Sequence, residues 1–193
     1  MAKLYFRYGA MNSGKTTALL QVAHNYEEKG MNVLILKPLV DTKGNNKVVS
    51  RLGLERKVDF LISKEDNLKV VLKEVKENIH CILIDEVQFF KENQIDELLE
   101  ISVLWDIPVI CYGLRTDFLT NGFEGSKRLL LIAHSIEELK TICRCGKKAV
   151  FNARKINGEF VFNGEQYAID GEKNVEYEPL CGSCFIDKRL QFV

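Results

Sequence analysis

The sequence predicts an α/β fold, in which a parallel sheet with helices on both faces is followed by a small β module held together by cysteines. Three observations lead to this prediction. A glycine-rich phosphate-binding pattern lies between a strand and a helix near the N-terminus. Apolar strands then alternate with amphipathic helices, which is typical of a parallel sheet. Two close cysteine pairs follow, in a stretch of different composition.

The phosphate-binding pattern organises the first part of the chain. Residues 9–16 read Gly-Ala-Met-Asn-Ser-Gly-Lys-Thr and fit G-x-x-x-x-G-K-[ST], between a predicted strand at 4–8 and a predicted helix at 17–29. The two fixed glycines allow a tight turn whose backbone N–H groups converge on phosphate oxygens. Lys15 is expected to reach the terminal phosphates, and the hydroxyl of Thr16 is expected to bind Mg²⁺. The alternative is a glycine-rich turn without a ligand.

The elements after this loop continue the alternation. Further strands are predicted at 32–36, 81–84, 107–112 and 138–142, and helices at 68–79, 95–103 and 126–134. The segment 38–66 is polar apart from an apolar patch at 58–62, and we expect a long loop there. These elements together predict one domain over residues 1–140.

A pair of carboxylates ends the apolar strand predicted at 81–84. Asp85 and Glu86 would reach the carboxyl edge of the sheet, where open α/β sheets bind their ligands. Asp85 is expected to hold Mg²⁺ through water, and Glu86 can accept a proton from the hydroxyl or water that attacks a phosphorus. The alternative is that the two acidic residues merely end the strand.

The cysteine pairs characterise the segment 141–193. Two pairs can form a tetrahedral thiolate site for zinc, which would stabilise a β module too small for a large core of its own. A hairpin is predicted to turn at 157–158 within this module. Four structural thiols are the alternative. The predicted metal ligands are Cys143, Cys145, Cys181 and Cys184, whereas Cys81 and Cys111 lie in apolar strands and are predicted to be core residues.

The bulk composition narrows the range of functions. Lys and Arg together number 27, as do Asp and Glu, so the formal net charge is zero. A nucleic-acid-binding protein would be expected to carry a basic excess, so we expect no nucleic-acid partner. The sequence has no run that resembles a signal peptide or a membrane span, and we therefore expect a cytoplasmic protein. The three histidines, at positions 24, 80 and 134, have no spacing typical of a metal or catalytic site and are predicted to be structural.

These motifs together resemble those of the type II thymidine kinases, and the resemblance covers nearly the whole chain. Besides the phosphate loop and the two cysteine pairs, four features match that family. They are Lys37-Pro38 followed by Asp41, Asp85-Glu86-Val87-Gln88-Phe89, the segment 113–118, and Tyr177 shortly before Cys181.

The resemblance implies a RecA-like P-loop core, a zinc domain and a specific reaction. Glu86 would be the base that takes the proton from the 5'-hydroxyl of thymidine, which then attacks the γ-phosphorus of ATP. Gln88 would belong to the nucleotide-binding set, and the segment 164–179 would form a lid over the nucleoside. The resemblance also implies activity on deoxyuridine, a role in pyrimidine salvage and a homotetramer. The residues expected to enclose the thymine base are Met11, Leu114, Phe118 and Tyr177.

Two other classes of function are also compatible with these sequence motifs. An ATP-driven motor shares the phosphate loop and the Asp-Glu pair, with Glu86 then activating water. A nucleotide-sensing switch would bind ATP without turnover of an acceptor, and its zinc module would bind a partner.

Overall fold

The computed structural model describes residues 1–42, 44–166 and 174–192 of the 193. The strands in chain order are β1 Leu4–Tyr8, β2 Val33–Pro38, β3 Lys47–Val49, β4 Glu55–Lys57, β5 Phe60–Ile62, β6 Cys81–Ile84, β7 Val109–Gly113, β8 Ser135–Glu138, β9 Thr141–Ile142, β10 Lys148–Ala149, β11 Phe151–Ile156, β12 Glu159–Val161 and β13 Val175–Leu180. The helices are α1 Lys15–Glu27, α2 Leu68–Leu72, α3 Glu92–Leu104, α4 Glu124–Ile132 and α5 Gly182–Phe192. None of the helices in these ranges is both long and apolar enough to cross a membrane.

The main sheet has six strands in the order β5-β2-β6-β7-β1-β8, and every pair of neighbours is parallel. Successive side chains of a strand point to opposite faces, so its two sets of apolar residues form two cores. Helix α1 packs on one face through Leu19 and Ala23, which join the core of Ile35 and Leu83. Helices α2, α3 and α4 cover the other face. The predicted parallel sheet with helices on both faces is confirmed.

The cysteine module is built differently. Strands β9 and β10 form an antiparallel pair, and β12, β11 and β13 form a second antiparallel sheet. The predicted hairpin turn is confirmed, since Asn157 and Gly158 connect β11 to β12 with φ angles of 54° and 85°. Two consecutive positive φ angles suit the right-handed twist of a hairpin. Phe151 and Phe185 stack with their ring centroids 4.9 Å apart in the core of this module.

The strand predicted at 138–142 is wrong. Residues Ser135–Glu138 form the edge strand β8 of the main sheet, and Thr141–Ile142 form β9 of the cysteine module. β8 has the sequence Ser-Ile-Glu-Glu and its first three residues are exposed. An exposed edge strand needs no apolar run, so the apolar pattern of the sequence did not reveal it.

Three further expectations need correction. The helix predicted at 68–79 is only Leu68–Leu72 long, and a separate 3₁₀ turn follows at Lys76–Asn78. The loop predicted at 38–66 contains the β3–β4 hairpin and also β5, which is the apolar patch and pairs with β2. The predicted β module also contains a helix, α5, at its end. Short elements of this kind are stabilised by tertiary packing, so their local sequence signal is weak.

Gly125, near the start of α4, packs closely against the turn that follows β6. A Cβ atom at this position would lie 2.7 Å from the backbone oxygen of Val87 and 2.8 Å from that of Phe90. We therefore expect Gly125→Ala to lower the free energy of unfolding by about 1–3 kcal/mol, because these backbone atoms must shift to make room. Thermal unfolding followed by circular dichroism measures this effect.

Gly182→Ala is the matched control for this substitution. Its Cβ atom would lie 3.7 Å from the ring of Phe151, which is an ordinary contact distance. It should leave the midpoint of thermal unfolding unchanged or raise it, because alanine favours a helix more than glycine does. An equal loss in both variants would contradict the packing argument at Gly125.

Candidate active site

The phosphate loop lies between β1 and α1, as predicted, and both of its fixed glycines are required. A Cβ atom at Gly9 would lie 2.4 Å from the backbone oxygen of Leu139 and from the Oγ atom of Ser13. Gly14 has a φ angle of 76°, which side chains disfavour. Asn12 also has a positive φ angle, of 65°. A loop with this backbone directs N–H groups towards an anion at the start of a helix.

Lys15 is buried at the first turn of α1. Its Nζ atom donates hydrogen bonds to the backbone oxygens of Ala10, at 3.0 Å, and Gly9, at 3.4 Å. The ammonium group is therefore held inside the curve of the loop, where a phosphate would be surrounded. Ala10 is also buried.

Thr16 and Asp85 lie side by side at the carboxyl edge of the sheet. The Oγ1 atom of Thr16 donates a hydrogen bond of 3.0 Å to Oδ2 of Asp85. Burial and the neighbouring carboxylate of Glu86 raise the pKa of Asp85 to about 7, against the opposing effects of Thr16 and Lys15. A hydroxyl and a carboxylate at this spacing are oxygen ligands of the kind that Mg²⁺ prefers. The site thus fits the predicted cation.

Glu86 is oriented by a short chain of hydrogen bonds. The residue has left-handed backbone angles, with φ 51° and ψ 39°. Gln88 donates from Nε2 to Oε2 of Glu86 over 2.5 Å, while its Oε1 atom accepts from the backbone N–H of Leu114 over 3.0 Å. Gln88 therefore connects the carboxylate to the loop after β7, which contains two of the predicted base-binding residues, Leu114 and Phe118.

Asn152 holds the loop after β7 to the phosphate loop, and no sequence pattern indicated this residue. Asn152, on β11, accepts a hydrogen bond of 2.8 Å from the backbone N–H of Met11. Its Nδ2 atom donates to the backbone oxygen of Thr116 over 3.4 Å. One buried side chain of the cysteine module thus contacts both loops of the main domain. An isolated asparagine in a short strand carries no sequence signal for such a contact.

The predicted base-binding residues come from three parts of the structure. Leu114 and Phe118 are buried in the loop after β7, Tyr177 is half-buried on β13, and Met11 is half-buried in the phosphate loop. Phe118 and Tyr177 both contact the guanidinium of Arg154 on β11. The structure brings these two aromatic residues to one buried cation.

The four predicted metal ligands lie together. The Sγ atoms of Cys143, Cys145, Cys181 and Cys184 are all within 4.8 Å of one another. A tetrahedral Zn–S distance of about 2.3 Å places sulfur atoms about 3.8 Å apart, so a small movement would suffice to bind zinc. Burial opposes ionisation of Cys143, but the backbone N–H groups of Cys145 and Cys181 outweigh it and lower the pKa of its thiol to about 7. The cluster is compatible with a zinc site. The C-x-C spacing of Cys143 and Cys145 leaves both of their sulfur atoms in the cluster.

The predictions for the two remaining cysteines and for two of the histidines agree with the structure. Cys81 and Cys111 are buried in the main sheet, as expected. His80 and His134 each accept a backbone hydrogen bond through Nδ1, from Asn32 and Leu4, which agrees with structural roles. The central part of the predicted lid, residues 167–173, lies outside the described residues.

A parallel sheet whose carboxyl edge carries a phosphate-binding loop and an Asp-Glu pair defines a nucleotide-binding protein of the P-loop class. The sequence profile of the family described as "Thymidine kinase" matches residues 2–185. The chain belongs to the thymidine kinase family.

Individual relatives are similar over nearly their full lengths. The chain is 47% identical to a thymidine kinase of Rhodopirellula baltica, over 94% of this chain and 86% of the relative. It is 46% identical to one of Mannheimia succiniciproducens, over 97% of both chains. It is 45% identical to that of enterobacteria phage T4, over 89% and 91% of the two chains.

More distant likeness extends to solved structures of larger proteins. A Pif1 helicase of Bacteroides bound to single-stranded DNA has a TM-score of 0.41 and 16% identity. This likeness covers 71% of the present chain and 38% of the helicase.

Proposed function

We propose that this protein is an ATP-dependent thymidine kinase, which transfers the γ-phosphoryl group of ATP to the 5'-hydroxyl of thymidine. The products are dTMP and ADP, and deoxyuridine would serve as a second acceptor. The observation that carries this proposal is the hydrogen-bonded chain from Glu86 through Gln88 to Leu114. It connects the carboxylate beside the phosphate loop to the loop on which two predicted base-binding residues lie.

The triphosphate would bind along the phosphate loop. Its oxygens would accept hydrogen bonds from the backbone N–H groups of residues 9–16, and Lys15 would contact the terminal phosphates. Thr16 and Asp85 would hold Mg²⁺, which neutralises charge on the β- and γ-phosphates when it is bound. A nearby cation would also oppose the raised pKa of Asp85 and keep its carboxylate ionised.

Glu86 would act as the general base. Its carboxylate takes the proton from the 5'-hydroxyl as the oxygen attacks the γ-phosphorus, and the bond from this phosphorus to the bridging oxygen of ADP breaks. Gln88 fixes one carboxylate oxygen through its amide and leaves the other available. The role of Gln88 would therefore be to orient the base towards the acceptor.

Four residues would enclose the thymine base. Phe118 and Tyr177 offer flat apolar faces, Met11 offers a flexible thioether, and Leu114 offers a buried branched chain. The lid at 164–179 would cover the nucleoside and exclude the water that competes for the phosphoryl group.

The decisive experiment measures transfer of labelled γ-phosphate from Mg-ATP. Thymidine, deoxyuridine, deoxycytidine, deoxyadenosine, deoxyguanosine and no acceptor are assayed side by side, and nucleoside monophosphate is separated from free phosphate. Label in thymidine monophosphate, with little in the purine and deoxycytidine products, supports the kinase. Label released only as free phosphate would favour an ATPase, and ATP binding without turnover would favour a nucleotide-sensing switch.

Zinc bound by the four cysteines would have a structural role, because it would anchor the C-terminal end of the lid. We expect Cys184→Ser to lower metal affinity by about 10-fold or more, since one of four ligands is replaced by a poorer one. The KM of thymidine should then rise by a larger factor than the KM of ATP. Metal analysis of the purified protein and steady-state kinetics measure the two effects.

Ser183→Ala provides the control, because Ser183 is an exposed neighbour on α5 that belongs to no described metal cluster. It should retain both the metal and the native kinetic constants. A native protein that purifies without zinc and is fully active would contradict the structural role of the metal.

The wider context of the reaction is also proposed. The activity would belong to pyrimidine salvage, in a cytoplasmic protein that assembles as a homotetramer. We further propose that residues 1–140 form the ATP-binding domain and 141–193 the zinc-binding domain. The family resemblance supports the salvage role and the homotetramer, and the change in composition near residue 141 supports the division into two domains.

A further inference from the structure

Strand β11 separates the two sides of the cysteine module. Phe151 and Ala153 face the core that contains the cysteines. Asn152 and Arg154 alternate with them and therefore lie on the opposite face, as the period of a strand requires. Both are 4% exposed, although one is polar and the other charged. This second face of β11 is directed at the main domain, because Asn152 contacts both the phosphate loop and the loop after β7.

Arg154 contacts three elements around the proposed nucleoside pocket. Its guanidinium carbon lies 3.7 Å from the centroid of the Phe118 ring, which is a stacking distance. Its Nε atom donates a hydrogen bond of 3.1 Å to the hydroxyl oxygen of Tyr177, the residue directly opposite on β13. Its Nη2 atom donates one of 3.2 Å to the backbone oxygen of Gln166. Gln166 and Tyr177 flank the central part of the proposed lid.

The charge of Arg154 is unusual for so buried a position. A buried cation is costly unless it is paired, and most buried arginines have a carboxylate partner. Within residues 1–42, 44–166 and 174–192, no carboxylate forms an ion pair with Arg154. A guanidinium tolerates this environment better than an ammonium group, because it is weakly hydrated and stacks on aromatic rings. Its planar shape is also what allows it to contact Phe118 and Tyr177 together.

We propose that Arg154 is a positioning residue that sets the shape of the nucleoside pocket. It holds the ring of Phe118 by stacking and the ring of Tyr177 through its hydroxyl, and it donates a hydrogen bond to the backbone of Gln166. This inference rests on the proposed function, since it assigns Phe118 and Tyr177 to nucleoside binding. Arg154 acts through these two rings and not on the phosphates.

The first test compares Arg154→Met and Arg154→Lys with the native protein. We expect Arg154→Met to raise the KM of thymidine roughly 10- to 100-fold, from the loss of stacking and of charged hydrogen bonds. The KM of ATP should stay unchanged. Arg154→Lys keeps the charge but loses the planar fork, and it should recover only part of the loss. Equal increases in both KM values would overturn the proposal.

Lys155→Met is the matched control, since it removes a cation from the next position of the same strand. Lys155 pairs with Glu178 and lies over the ring of Phe160, on the other face of β11. It should leave the KM of thymidine unchanged. If it raises this KM as much as Arg154→Met does, the effect belongs to the stability of the strand, and the proposal fails.

A double-mutant cycle isolates the contact between the two side chains. Tyr177→Phe keeps the ring and removes only the hydroxyl that accepts from Arg154. If Arg154 acts through Tyr177, the increase in the KM of thymidine in the double variant should be smaller than the product of the two single increases. The KM of the double variant should then be close to that of Arg154→Met alone. Fully multiplicative effects on the KM of thymidine would overturn the coupling.

Hydrogen exchange without substrate separates this inference from the proposed function. In Arg154→Met, the backbone amides of residues 113–118 should exchange faster than in the native protein or in Lys155→Met. This result would support the positioning role even if the acceptor were a nucleoside other than thymidine. Unchanged exchange in this loop overturns the role whatever the acceptor is. Absence of phosphoryl transfer to any nucleoside by the native protein would instead reject the proposed function.

Discussion

Glu86→Gln is expected to lower turnover with thymidine by about 10²- to 10⁴-fold, because general-base catalysis contributes that much to proton transfer. The substitution changes the charge and basicity of one side chain while it keeps the shape. A glutamine at this position can still offer an oxygen to Nε2 of Gln88, so the hydrogen-bonded chain to Leu114 can survive. ATP binding should therefore remain, and calorimetric titration with ATP checks it.

The control is Glu74→Gln, which neutralises an exposed carboxylate between α2 and the following 3₁₀ turn, outside the residues assigned to the site. It should be fully active. Unchanged turnover of Glu86→Gln would remove Glu86 as the base. If Glu86→Gln loses thymidine phosphorylation but still releases free phosphate, then hydrolysis of ATP does not require this carboxylate, whereas transfer to thymidine does.

Lys15→Met should produce a loss of similar size through a different step. Removing one electrostatic contact to a transferred group typically costs about 10²- to 10³-fold in turnover. Lys15 is buried within the curve of the loop, so no exposed lysine can replace it. We also expect weaker ATP binding, because the same ammonium group contacts the terminal phosphates in the ground state. Turnover and the KM of ATP measure the two effects.

Lys15→Arg distinguishes charge from geometry at this position. A guanidinium keeps the charge but is wider than an ammonium group, and the space that Gly9 and Ala10 leave around Nζ is narrow. We expect it to be nearly as inactive as Lys15→Met. Lys29→Met, which removes an exposed lysine after the end of α1, is the control and should behave like the native protein. Full activity of both Lys15 variants would contradict the role of this residue.

The sequence was most informative where function is encoded locally. The phosphate loop and the Asp85-Glu86 pair each follow a buried strand, so the pattern that predicts the strand also places the residues at the sheet edge. The structure puts Thr16 against Asp85, as this argument requires. The cysteine cluster was predictable for a related reason, since two close pairs of thiols have few other uses in such a chain.

The residues that the sequence did not reveal act through partners that are distant along the chain. Asn152 and Arg154 lie on a strand whose opposite face packs into the cysteine module, and their contacts depend on how this module meets the main domain. Nothing in the order of residues 151–156 indicates that arrangement. The helix α5 was missed because its apolar residues do not share one face: Phe185 is buried, whereas Ile186 and Leu190 are exposed.

The backbone of Glu86 has a consequence for anyone who would engineer this enzyme for heat resistance. Its left-handed conformation costs a residue with a Cβ atom about 1–2 kcal/mol, and asparagine or glycine would fit there more comfortably. A selection that rewarded only a high melting temperature would therefore favour replacing the very side chain proposed to perform the chemistry. Screens for robust variants should accordingly retain a growth or turnover requirement, because at this position durability and activity favour different amino acids.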